Sequence, residues 1–314
     1  MSPVYTRRDF LMQTAALAAA PSLLRASVAI GQGAAPLFRI SLAQWSLHRT
    51  IRAGDLDHLD FAAVARREFG IEAIEYVNSF FKDKATDAAY LAEMNRRASG
   101  EGVTQHLIMC DGEGRIGDPD PARRTEAVEN HRKWLDAART LGCVTIRVNA
   151  ASEGSFDEQQ KLAADGLARL TALADPLGLN VVVENHGGLS SDGRWLSGVM
   201  RMVGHPRCGT LPDFGNFYEY DRYQGVADLM PFAKAVSAKS HDFDAEGNET
   251  TKDYRRLMKT VVDAGYHSWV GIEYEGARLP EREGIASTLR LLERTRGELT
   301  RAPEGSHEHR SDPS

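Results

Sequence analysis

The chain has 314 residues, of which 42% are hydrophobic, and it carries a formal net charge of −6. That length suffices for one large hydrophobic core, and nothing in the sequence indicates a second domain. No block of Lys and Arg stands out, which argues against a nucleic-acid partner, and no apolar run reaches the ~18 residues of a membrane-spanning helix. The three cysteines, Cys110, Cys143 and Cys208, lack metal-site spacing and are predicted to be free, buried thiols.

The first 29 residues have the order of features found in an export signal. Thr6-Arg7-Arg8-Asp9-Phe10-Leu11 resembles the twin-arginine motif, an Ala-rich apolar segment runs from Thr14 to Leu24, and Ser27-Val28-Ala29 offers small residues for cleavage. The alternative is an amphipathic first helix with two chance arginines, which this order of features disfavours. We therefore predict a signal peptide over residues 1–29 and a periplasmic protein. Export in the folded state, which the motif implies, suits a protein that acquires its metal in the cytoplasm.

Beyond residue 37, strand-like apolar runs alternate with segments of helical periodicity, several of which are followed by Gly. The predicted strands are Phe38–His48, Ile71–Phe81, Val103–Cys110, Val144–Asn149, Val181–Glu184, Cys208–Asp213, Ala235–His241 and Trp269–Glu273. The predicted helices are Leu59–Phe69, Asp87–Ser99, Pro121–Leu141, Phe156–Leu177, Gly193–Val203, Tyr223–Ala233, Asp253–Ala264 and Pro280–Leu299. Eight alternations predict an α/β fold, a single-domain (β/α)8 TIM barrel over residues 37–300, followed by a disordered polar tail at 301–314. An open doubly wound sheet is the rival fold, but it binds ligands at a single switch point.

Four successive predicted strands end in a side chain that can bind a metal. Glu184, Asp213, His241 and Glu273 stand at these ends, 29, 28 and 32 residues apart. A (β/α)8 barrel uses about 31 residues for each strand–helix unit, so the four side chains are predicted to meet at one rim. Buried charges need a partner or a metal. The alternative is four unrelated rim residues, but a barrel rim would rarely collect these four side chains by chance. Three carboxylates and one imidazole suit Mn²⁺, Mg²⁺ or Co²⁺, with Zn²⁺ as a further candidate.

Side-chain parity predicts which other residues face the pocket. In strand four, Arg147 and Asn149 fall on the polar face, opposite Ile146 and Val148, and this polar face is expected to line the barrel interior. The residues predicted to contact substrate are Trp45, Glu75, His106, Arg147, His186, Asn216 and Lys239.

Structural roles stay open for most of these residues. Trp45 can pack rather than stack on a sugar, Glu75 can pair with an arginine, and His106 can be a satisfied core histidine. Arg147 can be an ion-paired plug within the barrel, and Lys239 needs a carboxylate partner, which the predicted site supplies.

In order and placement, Glu184, Asp213, His241 and Glu273 resemble the Glu-Asp-His-Glu metal set of the xylose-isomerase-like barrels. The resemblance covers about residues 37–300, and the sequences Glu-Asn-His-Gly-Gly and Pro-Asp-Phe-Gly-Asn look most like exported proteins described as sugar phosphate isomerase/epimerase. It implies a metal that chelates a carbonyl and a neighbouring hydroxyl of a carbohydrate. It also implies that Glu184 and Glu273, besides binding the metal, exchange a proton on opposite faces of the substrate.

Two departures from that family bear on the substrate. Asn216 stands where ketose epimerases carry His, and Gly247 stands where they carry Arg, which argues against an ordinary ketose. Besides isomerisation or epimerisation, a dehydratase or β-eliminating lyase acting on a keto-sugar or keto-glycoside stays open, with His186 or His106 protonating the leaving group. An exported sugar-binding barrel without turnover stays open too, as does a homo-oligomer. Endonuclease IV activity is disfavoured, because its three-zinc cluster needs more histidines and a basic surface.

The export prediction can be tested at the arginine pair. Replacing Arg7 and Arg8 by lysine keeps the charge but removes the recognised pair, so we expect most of the protein to stay in the cytoplasm of a bacterial host. Lysine at Arg66 and Arg67, a pair in a predicted barrel helix, is the matched control and should leave export unchanged. Fractionation and immunoblotting give the periplasmic share, and equal shares for the two double variants would contradict the signal.

Overall fold

The computed structural model describes residues 35–301. The predicted export signal lies outside these residues, as does the predicted tail apart from Arg301, which is the last residue of the final helix. Within residues 35–301, no helix combines the length and apolar character needed to cross a lipid bilayer.

Eight strands alternate with helices along the described part of the chain. The strands are β1 Arg39–Ala43, β2 Ala73–Val77, β3 Thr104–Met109, β4 Thr145–Val148, β5 Asn180–Glu184, β6 Cys208–Leu211, β7 Val236–Ser240 and β8 Trp269–Tyr274. The helices are α1 His48–Arg52, α2 Phe61–Phe69, α3 Ala88–Gly100, α4 Pro121–Asn130, α5 Arg132–Leu141, α6 Phe156–Ala174, α7 Gly193–Val203, α8 Arg222–Leu229, α9 Tyr254–Asp263 and α10 Glu281–Arg301.

All strand pairs are parallel, in the order β6-β5-β4-β3-β2-β1-β8-β7. The curled sheet closes where β6 and β7 meet through isolated bridges, Thr210 with Ala233 and Asp213 with Ser237. There the Ser237 N–H donates to the Pro212 carbonyl, and the Ser237 carbonyl accepts from the Phe214 N–H, both at 3.0 Å. The predicted single-domain (β/α)8 barrel is confirmed.

Alternating strand side chains divide the core into two layers. Ile146, Val148, Val181 and Val183 belong to the large outer layer beneath the helices. The smaller apolar layer inside the barrel consists of Ala43, Val77, Leu107, Met109, Val182, Leu211 and Ala235. This is the parity predicted for strands four and five, and it places the polar side chains of the same inward face inside the barrel.

Most helices begin where an acidic or hydroxyl side chain accepts a backbone N–H of the first turn, which satisfies a donor that the helix itself cannot. The N-capping residues of this kind are Asp87, Asp120, Ser155, Asp192, Asp221 and Asp253. These caps follow the carboxyl ends of strands, so they fix the direction in which each chain segment leaves the rim.

The long helix predicted over Pro121–Leu141 is divided at His131 into α4 and α5. The His131 ring Nδ1 lies 2.7 Å from the Ala127 carbonyl, the group that would accept the His131 N–H in a continuous helix. That N–H bonds to the Val128 carbonyl instead, at 3.2 Å, and the helix is interrupted there.

Strands one and two also end earlier than predicted. They pass into single 3-10 turns at Gln44–Leu47 and Asn78–Phe80. Trp45 therefore lies on a rim turn rather than on the strand itself.

Gly166 in α6 is required by a close backbone contact. A Cβ atom built there would lie 1.8 Å from the Ile116 carbonyl oxygen. We therefore expect Gly166→Ala to destabilise the fold by about 2 kcal/mol or more, although alanine favours a helix by about 1 kcal/mol over glycine.

Gly297→Ala in α10 is the control, because the nearest atom to its added Cβ is the end of the Arg301 side chain at 3.8 Å. That variant should be as stable as wild type or slightly more stable. Urea titrations give the unfolding midpoints. A midpoint for Gly166→Ala at or above that of wild type would show that the contact is not constraining.

Candidate metal centre

Three carboxylates from neighbouring strand ends meet inside the rim. Glu184 is the last residue of β5, Asp213 lies two residues after β6, and Glu273 is the penultimate residue of β8. One oxygen of each lies within 4.8 Å of the other two, and all three side chains are buried. We call these residues the carboxylate triad. Three like charges this close in a buried site are strongly unfavourable unless cations compensate them.

The Asn185 side chain fixes the backbone of Asp213 through two hydrogen bonds. Its Oδ1 accepts the Asp213 N–H at 2.7 Å, and its Nδ2 donates to the Asp213 carbonyl at 3.0 Å. The Asp213 Oδ1 then accepts the N–H groups of Gly215 and Asn216 at 2.7 and 2.9 Å. Asp213 is thus held at both its backbone and its carboxylate, and its Oδ2 faces Ser237 and Lys239. Sequence reasoning missed Asn185, whose only signal is an amide directly after the strand-end carboxylate.

Strand β7 presents Ser237 to the triad. Its Oγ lies 2.6 Å from the Asp213 Oδ2 and 2.9 Å from the Glu273 Oε2. A hydroxyl has one proton, so it can donate to only one of these carboxylates at a time. The other carboxylate oxygen is left to a shared proton or a cation. Ser237 was not predicted, although its parity matches that of Lys239.

His241 lies apart from the triad. β7 ends at Ser240, and the His241 ring turns to the loop that follows, where its Nδ1 lies 3.0 Å from the Lys252 Nζ and its side chain is 42% exposed. Lys252 in turn donates to the buried Glu249 at 2.7 Å. The structure brings together three of the four predicted ligands, and His241 as the fourth stays a prediction.

Two buried cations offset the triad. Lys239 Nζ lies 3.2 Å from the Glu273 Oε1 and 3.8 Å from the Asp213 Oδ2. Arg147 Nε lies 2.9 Å from the Glu184 Oε2, but neither of these buried atoms has a hydrogen bond to the protein. The three triad carboxylates outnumber these two cations, which also contact Asp111 and Glu275, so negative charge is in excess. A buried carboxylate oxygen without a hydrogen bond has capacity for a cation.

The surroundings move the pKa values of the triad in different directions. Burial raises the pKa of Glu184 to about 8, although Arg147 opposes the shift, and burial raises the pKa of Asp213 to about 6 against Lys239. Burial also acts on Glu273, but Lys239 and Ser237 outweigh it and hold the Glu273 pKa below its usual value. Burial thus favours the protonated forms of Glu184 and Asp213, and a bound cation would favour their ionised forms.

A pocket of about 110 Å³ borders the triad at Glu273. The residues that line it are Trp45, Val77, Met109, Asp111, Arg147, His186, Glu273 and Glu275. Trp45, Arg147 and His186 were predicted to contact substrate, and the structure places all three at the pocket. The Trp45 ring stacks on His48 with the ring centroids 4.8 Å apart. Burial lowers the His186 pKa, and Arg147 and Lys239 add to the shift, so its imidazole is neutral at pH 7.

Two acidic pocket residues were missed. Asp111 accepts from Arg147 Nη1 at 2.6 Å and from Asn149 Nδ2 at 2.7 Å. It stands directly before a glycine at the end of a strand-like run, a signal that was available in the sequence. Glu275 has the parity of Glu273 and lies with its Oε1 3.5 Å from Lys239 Nζ.

Asn216 and Lys239 contact the triad and each other. Asn216 Nδ2 donates to the Glu184 Oε1 at 3.1 Å, and Lys239 Nζ donates to the Asn216 Oδ1 at 3.3 Å. Both are buried and neither lines the pocket, so the structure supports a role at the carboxylates rather than the predicted substrate contact.

Glu75 and His106 lie deeper in the barrel and do not line the pocket, so their predicted substrate contacts stay predictions. Glu75 is in the middle of β2, where Ser41 Oγ donates to its Oε1 at 2.6 Å and burial raises its pKa to about 7. The His106 ring lies 6.4 Å from that of Trp269, the first residue of β8, and so faces the amino-terminal end of the barrel. Both side chains point inward as expected, but inward parity does not fix the height along the barrel axis.

The donor set fits a divalent cation. The triad offers carboxylate oxygens of three residues, and hard cations such as Mg²⁺ and Mn²⁺ prefer oxygen ligands. The Glu184 Oε2 without a hydrogen bond and the Asp213 and Glu273 oxygens that compete for one Ser237 proton are the atoms that a cation would satisfy.

Comparison with known proteins places this geometry in context. Residues 61–295 match the sequence model of the family described as xylose isomerase-like TIM barrel. A curated relative, the C-glycoside deglycosidase alpha subunit of Arthrobacter globiformis, is 31% identical over 77 residues, which are 24% of this chain and 22% of that protein. The chain thus matches only about a fifth of the length of this relative.

Two solved structures share the fold over nearly their whole length. The IOLI protein with a bound zinc atom superimposes with a TM-score of 0.67 at 12% identity, over 83% of this chain and 99% of that chain. The apo form of the E. coli 3-keto-D-glucoside 4-epimerase YcjR gives a TM-score of 0.62 at 16% identity, over 82% and 99%. At these identities the likeness shows a common fold.

The sequence model of the family spans about three quarters of the chain, from α2 to α10. It therefore covers the strands that carry the triad and the helices that surround them. This chain belongs to the xylose isomerase-like TIM barrel family.

Proposed function

We propose that the protein is a divalent-metal-dependent sugar isomerase or epimerase that transfers a proton at the carbon next to a carbonyl. The observation that carries this proposal is the buried carboxylate triad of Glu184, Asp213 and Glu273 at the rim where (β/α)8 enzymes have their active sites. The zinc in the IOLI protein and the epimerase activity named for YcjR support a metal-assisted reaction of this class. The proposed substrate is a sugar or an oxidised sugar derivative.

The triad would hold the cation, with Mn²⁺, Mg²⁺ or Co²⁺ favoured and Zn²⁺ as a further candidate. When bound, the cation supplies Lewis-acid stabilisation of negative charge on substrate oxygen. His241 would complete the ligand set only after turning away from Lys252. We also propose periplasmic localisation, which rests on the N-terminal twin-arginine motif.

Glu184 and Glu273 are suited to opposite halves of a proton transfer. Glu273 lines the pocket, and its pKa is held below the usual value by Lys239 and Ser237, so its ionised carboxylate can take a proton. Without metal, burial raises the pKa of Glu184 to about 8 while that of Glu273 is lowered, so Glu184 is the better of the two at holding an accepted proton for return to the substrate. Two carboxyl groups whose environments separate their pKa values are a common basis for an acid–base pair.

The pocket wall would orient the substrate. Arg147 is held by Asp111 and points its guanidinium at Glu184, so it can donate to a substrate oxygen next to the reacting carbon. Trp45 also lines the pocket, with its ring stacked on His48 and the Arg52 guanidinium 4.7 Å from the ring centroid, and it offers apolar surface for the C–H groups of a sugar ring.

A second candidate is elimination from a keto-glycoside. His186 favours it, because a neutral imidazole lining the pocket can take the proton lost from the substrate and, once protonated, pass it to the leaving group. The relatives named as a C-glycoside deglycosidase and a keto-glucoside epimerase make this substrate class the natural one to test.

Metal content tests the site itself. Asp213→Asn keeps the shape of the side chain but removes its charge, so we expect it to retain much less Mn²⁺ than wild type, which should hold about one ion per chain. Asp165→Asn is the control, since Asp165 is a surface residue paired with Arg124. Elemental analysis after loading and dialysis gives the ratio. The same content in wild type and Asp213→Asn would remove the basis for the site.

The acid–base pair is tested with glutamine, which keeps a ligand oxygen but cannot accept the proton. For Glu184→Gln and Glu273→Gln we expect turnover to fall by roughly 10²-fold or more, the effect of losing a general base. The exposed Glu293→Gln should behave like wild type. A keto-glucoside in D2O, followed by NMR, reports deuterium next to the carbonyl.

The products separate the candidate functions. Deuterated substrate or epimer with its aglycone retained supports the isomerase or epimerase, and aglycone release supports elimination. Binding without exchange in the wild type indicates a sugar-binding barrel. If both glutamine variants exchange as fast as wild type with metal bound, these glutamates are ligands only.

A further inference from the structure

The Lys239 ammonium contacts two members of the carboxylate triad rather than one. Its ammonium lies 3.2 Å from the Glu273 Oε1 and 3.8 Å from the Asp213 Oδ2, and its side chain is 3% exposed. A single ammonium therefore serves two of the three carboxylates that would bind a metal.

The fold makes specific room for this lysine. Gly215, two residues after Asp213, packs against the Lys239 stem, and a Cβ built on Gly215 would lie 2.6 Å from the Lys239 Cδ and 2.9 Å from its Cγ. The loop after β6 therefore fits the lysine only because it carries no side chain at that point. Lys239 is a built part of the site rather than a side chain that happens to reach it.

We propose that Lys239 is a resident counter-ion that competes with a divalent cation for Asp213 and Glu273, and so keeps the metal affinity of the triad low. This inference rests on the proposed function, since it concerns the same metal. An ammonium at these distances repels a divalent cation placed between the same oxygens, and the repulsion is weakly screened in a buried site. A carboxylate that is already paired with Lys239 also gains less favourable free energy from binding a second cation.

The neighbours of Lys239 allow both cations to be present. Asn216 Oδ1 at 3.3 Å and Glu275 Oε1 at 3.5 Å are acceptors outside the triad, so the ammonium stays partnered when its triad contacts weaken. The outcome is a site whose charge is partly balanced without metal and which binds the cation reversibly. Arg147 competes less directly for Asp213 and Glu273, because its ion pairs are with Glu184 and Asp111.

Lys239→Met tests the proposal, because methionine keeps much of the stem and removes the charge. Metal-free protein is titrated with Mn²⁺ alone and followed by calorimetry. We expect Mn²⁺ to bind Lys239→Met at least about tenfold more tightly than wild type, the opposite of the usual effect of altering a metal site. The metal-free variant should also melt at a lower temperature than wild type and gain more from Mn²⁺, because the triad has lost a compensating charge.

Two controls separate the charge from other effects. Lys133→Met removes a lysine that pairs with the buried Glu113 at 2.9 Å, away from the triad, and should leave the Mn²⁺ affinity unchanged. Lys239→Arg keeps the charge and should not tighten binding. If Lys239→Met does not fold without metal, Lys239→Gln takes its place with the same expected direction.

The outcomes distinguish this inference from the proposed function. Equal or weaker Mn²⁺ binding by Lys239→Met overturns the inference, even where wild type binds metal and the proposed function stands. Binding by Lys239→Met but not by wild type supports Lys239 as the resident cation and removes the metal-dependent function. Absence of binding in both overturns both.

Discussion

Three carboxylates can share a water-poor barrel rim only if positive charge is buried with them. Removing one partner from a buried ion pair typically costs about 3–5 kcal/mol of folding stability. The strands therefore position the triad, and the triad in turn requires Lys239 and Arg147 beside it. Ser237 and Asn216 then supply the hydrogen bonds that the cations leave unmade. The polar interior of this barrel is thus one connected electrostatic unit.

The pocket beside that unit is lined by side chains of two kinds. Trp45, on the rim turn that follows β1, lines it, and its ring lies 6.1 Å from that of Phe80 on the turn that follows β2. Asp111, Arg147 and Glu275 line the pocket with charged groups. The proposed sugar substrate has apolar C–H faces and polar hydroxyl edges, and a pocket that offers both kinds of contact would orient its ring.

The fold and the triad could be predicted from the sequence because both follow from short-range periodicity. The spacing of about 31 residues between strand ends fixes a common rim for Glu184, Asp213 and Glu273, and strict alternation along β4 fixes the inward direction of Arg147. The height of Glu75 in the barrel, by contrast, depends on strand tilt and register, which local sequence does not encode.

His241 lies outside the triad for a related reason. Whether a residue at a strand end faces the axis depends on where the last ladder hydrogen bond falls and on what the next loop offers. Here β7 ends one residue earlier than predicted. The His241 ring contacts Lys252, and the His241 N–H donates to the Glu249 carboxylate. Asn185 was missed because it acts through the backbone of Asp213, a contact between two strands that no motif within one strand reports.

The seam between β6 and β7 gives the barrel a natural place to part. The other neighbouring strands pair through ladders of at least two residue pairs, whereas these two meet through isolated bridges, and Asp213 and Ser237 form one of them. A cooperative opening of this seam would separate Asp213 from Ser237 and Lys239 while the rest of the barrel stays folded. An ion shared by Asp213 and Glu273 would then oppose this opening, so that metal binding would stabilise the closed barrel.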